Sequence, residues 1–248
     1  MSLKTGIVPY KGWSDTYVGC LVVGICFCAL FSSSLLTAFS KQLESYFEDG
    51  GTFFSTVFSI LSFHGAVLLL IFLFLKSQGW SVKKAFGFNL GSNWTLGLHG
   101  VIFGIVCFAV SLILSSIIQW ISGLFGYEME SQKAIEILQQ TDPSYLKSIV
   151  AISFLSVFIA PVAEELLFRG VLYVYLRDIG FRKTAAFICS FIFAMIHCNI
   201  AVFLPLFCFS IFLVWLYEKY GNLSVCIVTH SVFNLANVLL CLFWGGEV

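Results

Sequence analysis

Charge is what this chain has least of. Only 10% of its 248 residues are Asp, Glu, Lys or Arg, thirteen basic against thirteen acidic, so the formal net charge is zero. A soluble domain carries about a quarter charged residues, and a nucleic-acid binder carries a basic face or tail. Neither is present, which excludes a water-soluble domain and a nucleic-acid partner. Proline is scarce too, with four in the chain, and long apolar stretches run on without a break. The nine cysteines form no Cys-x-x-Cys pair and lie almost entirely inside those stretches. That pattern suits small hydrophobes in a helix bundle and not a disulfide framework or a zinc ribbon.

What is there is hydrophobic: 59% of residues, with 17% aromatic and a mean hydropathy of +0.97. Apolar runs at about 16–38, 53–75, 95–124, 149–176, 181–197, 200–217 and 222–244 predict membrane helices. The first is longer than the core of a signal peptide, and spanning takes about 20 apolar residues. The fold class expected is an all-α polytopic membrane protein, a bundle of about seven to eight transmembrane helices around a polar intramembrane cavity. Pro205 predicts a kink in the sixth run. Gly100 and Gly104 stand at the spacing of a close helix–helix contact.

The longest polar piece, Gly126 to Lys147, holds Glu128, Glu130, Glu136 and Asp142. It predicts a short interfacial helix over Lys133–Gln140 and a turn at Thr141–Ser144. It also marks the one boundary in the chain, between an N-terminal region 1–148 and a helix bundle 149–244. Lysines and arginines gather in alternate links (Lys4, Lys11; Lys76, Lys83, Lys84; Arg177, Arg182, Lys183), and acidic residues fill the others. The positive-inside rule then sets the N-terminus in the cytoplasm and, with seven spans, the C-terminus outside.

Against this apolar background, Ala160-Pro161-Val162-Ala163-Glu164-Glu165-Leu166-Leu167-Phe168-Arg169-Gly170 is anomalous. Each such charge near a bilayer centre costs roughly 2.5–3.5 kcal/mol on insertion scales. Glu165 and Arg169 are four apart, acid first, and pair on one helix face. Glu164 points about 100° away and has no partner on its own helix. Two carboxylates in different environments are the means by which one site separates a supporting acid from a working base. Pro161, one turn earlier, breaks the backbone ladder.

The later helices bring further polar groups. His197 ends the fifth run with Phe193 one turn before it. His230 lies in the seventh with Asn234 at i+4, and Asn237 extends that stripe. His64, alone in the second run, and His99, near the start of the third, read as packing residues. A carboxylate assisted by imidazole can activate water toward a carbonyl, and a second imidazole with an amide N–H can hold the oxyanion. No serine or cysteine stands in a nucleophile motif, and the His-Glu-x-x-His zinc signature is missing.

Glu164-Glu165-x-x-x-Arg169, Phe193-x-x-x-His197 and His230-x-x-x-Asn234 together resemble the CAAX protease and bacteriocin-processing family, also called the abortive-infection family. Its members are intramembrane glutamic endopeptidases related to the type II CAAX prenyl endopeptidases. The resemblance covers about residues 149–244. It implies that Glu164 activates water with help from His197, that His230 and Asn234 form the oxyanion hole, and that Glu165 and Arg169 support the site. It implies no cofactor; zinc on the histidines and carboxylates is the alternative, weakened by the lack of a ligand pair at i,i+3 or i,i+4. The substrate expected is a peptide or membrane-protein segment, lipidated or not, met among membrane lipids, in the plasma membrane if the source is bacterial. Two other readings stand beside this one: a non-catalytic scaffold or immunity protein, and a proton-coupled transporter using the same polar groups as a relay.

Overall fold

The computed structural model describes Val8 and residues 11–46, 52–88, 93–127, 146–181 and 184–244. These residues form helices and connecting turns: α1 (Asp15–Tyr46), α2 (Thr52–Ser77), the single turn α3 (Val82–Ala85) and α4 (Asn93–Leu124), then α5 (146–181), α6 (Ala185–Met195), α7 (Ile200–Tyr220) and α8 (Leu223–Trp244). In hydrocarbon every backbone N–H and C=O needs an internal partner, which drives apolar runs of this length into helices. The predicted interfacial helix and the turn at Thr141–Ser144 lie outside the described residues, as do Arg182 and Lys183.

Among the described residues six helices are long and apolar enough to cross a membrane, within Asp15–Phe39, Phe54–Ser77, Trp94–Leu124, Ile149–Phe181, Ile200–Tyr220 and Leu223–Phe243. The chain is a multi-pass integral membrane protein. The run at 181–197, expected to span, does not: its helix is only Ala185–Met195. Eleven residues reach roughly 16 Å, about half the hydrocarbon thickness. The apolar run overreached the helix at both ends: Phe181 belongs to the end of α5, and Ile196 and His197 lie in the turn that follows Met195. Cys198 takes a positive φ of 49° to reverse the chain, and Asn199 caps α7 by accepting from Ala201 N at 2.9 Å and Val202 N at 3.4 Å. Two other boundaries move: α1 continues to Tyr46, into the expected acidic link, and α5 continues past Leu176 to a break at Gly180. Pro205 lies within α7.

Helix α5 is not uniformly α-helical. Wider π-helical turns occupy Leu155–Ile159, Leu166–Tyr173 and Arg177–Phe181. The first ends beside Pro161, whose ring would clash with the preceding turn of a regular helix. Gly180, at φ 111°, ends the last one.

Helices from both sides of the polar link pack into one body, with α1 along α2, α4 along α8, α6 against α7, and α2 against the middle of α5. Gly100 and Gly104 are where α4 meets α8: a Cβ on Gly104 would stand 2.6 Å from Val232 Cβ and 2.8 Å from the Thr229 carbonyl, and one on Gly100 2.7 Å from Val228 Cβ. At the basic end, Arg177 donates to Asp178 Oδ1 at 2.7 Å, Glu218 Oε1 at 2.9 Å and the Val8 carbonyl at 2.9 Å. The Lys11 amide donates to Asp178 Oδ2 at 2.8 Å, which ties the N-terminal segment to the end of α5. All nine cysteines are unpaired thiols.

Candidate active site

Glu165 and Arg169 sit in the middle of α5 with no exposed surface. The spacing that put them on one face brings Arg169 Nη1 to Glu165 Oε1 at 2.8 Å. The other guanidinium arm donates to Ser210 Oγ at 2.7 Å on α7, and the plane lies 4.5 Å from the centre of the Phe193 ring. A planar fork that serves a carboxylate, a hydroxyl and an aromatic face at once is an arginine's task and not a lysine's.

Glu164 turns the other way, as helix geometry requires, and meets side chains from three other helices. His230 of α8 bridges the two carboxylates. Its Nδ1 donates to Glu165 Oε1 at 2.8 Å and its Nε2 lies 3.8 Å from Glu164 Oε2. His197, at the end of α6, donates from Nδ1 to the Phe193 carbonyl at 2.8 Å, which leaves Nε2 for another partner, and it interacts electrostatically with Glu164. His64 of α2 places Nε2 3.2 Å from Glu164 Oε1. The structure therefore gathers Glu164, Glu165, Arg169, His197 and His230 around one another and adds His64, for which the sequence alone predicts only packing. The signal available for it was its chemistry: an imidazole in a membrane helix is costly unless it serves something. His99 stays apart, its ring packed against Phe103 and Tyr220.

Asn234 is on the same helix as His230, one turn on, and its amide donates to the Ser156 carbonyl at 2.9 Å. The reason lies in α5. In the π-helical turn the Ala160 amide reaches back to the Leu155 carbonyl, so the next bond of that register would run from residue 161 to Ser156. Residue 161 is proline and has no N–H. Asn234 supplies the missing donor, and its second amide N–H stays free for other use. Among the described residues no group of three or more His, Cys, Asp and Glu side chains is disposed to hold a metal ion.

Residues 146–236 match the family described as type II CAAX prenyl endopeptidase, Rce1-like. Over this stretch the chain is similar to Rce1-like domains. The match covers a little over a third of the chain and contains all three motifs. This bears out the family resemblance carried by those motifs. No curated protein and no solved structure matches the chain. The Rce1-like domain supplies Glu164, Glu165, Arg169, His197, His230 and Asn234, whereas His64 comes from outside it.

Proposed function

We propose that the protein is an intramembrane endopeptidase in which Glu164 activates water for attack on a peptide bond. The observation that carries this reading is the surroundings of Glu164: one carboxylate within 4 Å of the imidazoles of His64 and His230 and in electrostatic interaction with that of His197, beside a second carboxylate already neutralised by Arg169. Water placed between Glu164 Oε2 and His197 Nε2 gives a proton to the carboxylate as its oxygen attacks the carbonyl carbon. The oxyanion that develops accepts from the free amide N–H of Asn234 and from His230. For Nε2 of His230 to donate it needs a proton, and Glu164 Oε2, 3.8 Å away, is placed to hand over the one taken from water. From His230 that proton goes to the leaving amine. Glu165 and Arg169 hold the ring of His230 in place through its Nδ1. The cycle uses no metal.

The substrate follows from chemistry and setting: a peptide segment, free or lipidated, that enters from the bilayer. A prenylated CAAX tail is one such segment. The test is proteomics of new N-termini in membrane fractions, comparing wild type with Glu164→Ala, with and without a chelator. Loss of a defined set of cleavage products in the variant, and their persistence in chelator, is the expected result. An unchanged set in a folded Glu164→Ala protein would return the chain to the scaffold or transporter readings, and chelator-sensitive cleavage restored by zinc would make it a metalloenzyme.

A further inference from the structure

We infer that His64 completes the site from outside the Rce1-like domain, as the positioning residue that holds one oxygen of Glu164 and leaves the other for water. The inference rests on the endopeptidase reading above and gives a task to a residue to which that reading assigns no step. His64 lies on α2, is 9% exposed, and packs edge-on to Phe63 at 5.1 Å. Its Nδ1 stands 2.8 Å from the Ile60 carbonyl. A carbonyl oxygen only accepts, so Nδ1 carries the hydrogen, and a neutral imidazole so arranged has a bare Nε2. That Nε2 faces Glu164 Oε1 at 3.2 Å. Two atoms that both carry lone pairs do not hold each other at this distance; one proton lies between them.

The consequence for charge is direct. Arg169 is committed to Glu165, so it is not the counter-cation of Glu164. His64, sharing a proton with Oε1, fills that place and lets two adjacent carboxylates coexist in apolar surroundings, where an unpaired one is costly. The consequence for geometry is equally direct. With Oε1 tied to α2, the carboxylate cannot rotate, and Oε2 is fixed on the side of His230. His64 acts through Glu164 and does not touch the reacting atoms.

The experiment uses the full chain in its membrane. The cleavage products that depend on Glu164 supply a peptide probe, and kcat and KM are measured for wild type, His64→Ala and His64→Gln, with folding followed by thermal melting. A misplaced base costs on the order of 10²-fold, so kcat should fall by about that factor in His64→Ala with KM nearly unchanged, and added imidazole should restore part of it. His64→Gln, which keeps the bulk and can donate one hydrogen bond but cannot carry the charge, should lie between. In parallel, infrared difference spectra of wild type minus Glu164→Gln locate the Glu164 carboxyl band, which should shift in His64→Ala. Wild-type kcat in a folded His64→Ala protein, or an unshifted band, overturns the role of His64 and leaves the endopeptidase reading standing. Absence of any Glu164-dependent product overturns both. A loss confined to KM, or one that imidazole leaves untouched in both variants, reduces His64 to packing.

Discussion

Pro161 removes one N–H from α5, and Asn234 gives it back from another helix. That exchange is testable because either side can be repaired. Asn234→Leu leaves the Ser156 carbonyl without its donor, which should destabilise the fold by about 1–3 kcal/mol. Pro161→Ala made in that background restores a backbone N–H at the right register, so the double variant should melt closer to wild type than the two single effects predict. Additive losses would show that Ser156 does not need Asn234. A second residue carries a pH signature. Lys11 is buried at the basic end, its ammonium 4.9 Å from the Trp80 ring centre and 3.4 Å from the Lys84 carbonyl. Burial lowers its pKa to about 8, Arg177 pushes the same way, and Asp178 opposes. The folded protein therefore sheds this proton before the unfolded chain does, near 10.4. Between about 8 and 10.4 the unfolded state binds more protons, so stability rises with pH across that window. Below it, the cost of burying the charge is fully present. Melting curves of wild type against Lys11→Met should show this increment in wild type alone; parallel curves would refute it. The Glu165–Arg169 pair was legible from spacing because one helix decides it. The Asn234–Ser156 bond was not, since it depends on a π-helical register that no residue pattern announces. His64 and Glu164 are a hundred positions apart, and only the packing of α2 on α5 joins them.

At the scale of elements, apolar length set out six of the helices correctly and misjudged one. The fifth apolar run contains a half-length helix and its turn, and hydropathy has no term for where a chain reverses. The short α6 is useful to the site: it ends after eleven residues at Met195, so that His197 falls in the turn that follows, within electrostatic reach of Glu164. The spacing of Gly100 and Gly104 was visible in sequence, but its partner was not. It is α8, the helix that bears His230 and Asn234. A methyl group at Gly104 would collide with Val232 and the Thr229 carbonyl, and a backbone oxygen cannot rotate away as a side chain can. Gly104→Ala should cost about 1–3 kcal/mol and, by pushing α8 outward, lower cleavage as well. Gly97→Ala, where no described atom lies within 4 Å of the new Cβ, should be neutral or slightly stabilising, since alanine favours helix over glycine by about 1 kcal/mol. Thermal melts of the two variants in one detergent decide the matter, and equal losses would count against the contact.

For the whole molecule, the polar link near residues 126–147 looks like a boundary in sequence and is crossed by packing in the fold. The family match lies entirely on its C-terminal side, yet α4 covers the helix of His230 and α2 supplies the partner of Glu164. The C-terminal helices alone would expose the Val228 and Val232 face of α8 to lipid and leave Glu164 facing hydrocarbon where His64 now stands. Association between membrane helices comes from close packing and hydrogen bonds, which need not be made through a continuous backbone. Chains cut within the link should therefore behave asymmetrically. Residues 146–248 expressed alone should insert but be inactive and short-lived. Co-expression with residues 1–145 should restore cleavage, because the Gly104–Val232 contact and the His64–Glu164 bond can both re-form in the bilayer. Repeating the co-expression with Gly104→Leu in the N-terminal piece should abolish the rescue while leaving insertion of both pieces intact, measured by co-purification through a tag on one piece. If residues 146–248 cleave on their own, the N-terminal helices are dispensable to the chemistry. If Gly104→Leu pieces still co-purify and cleave, α4 does not hold α8 through that glycine.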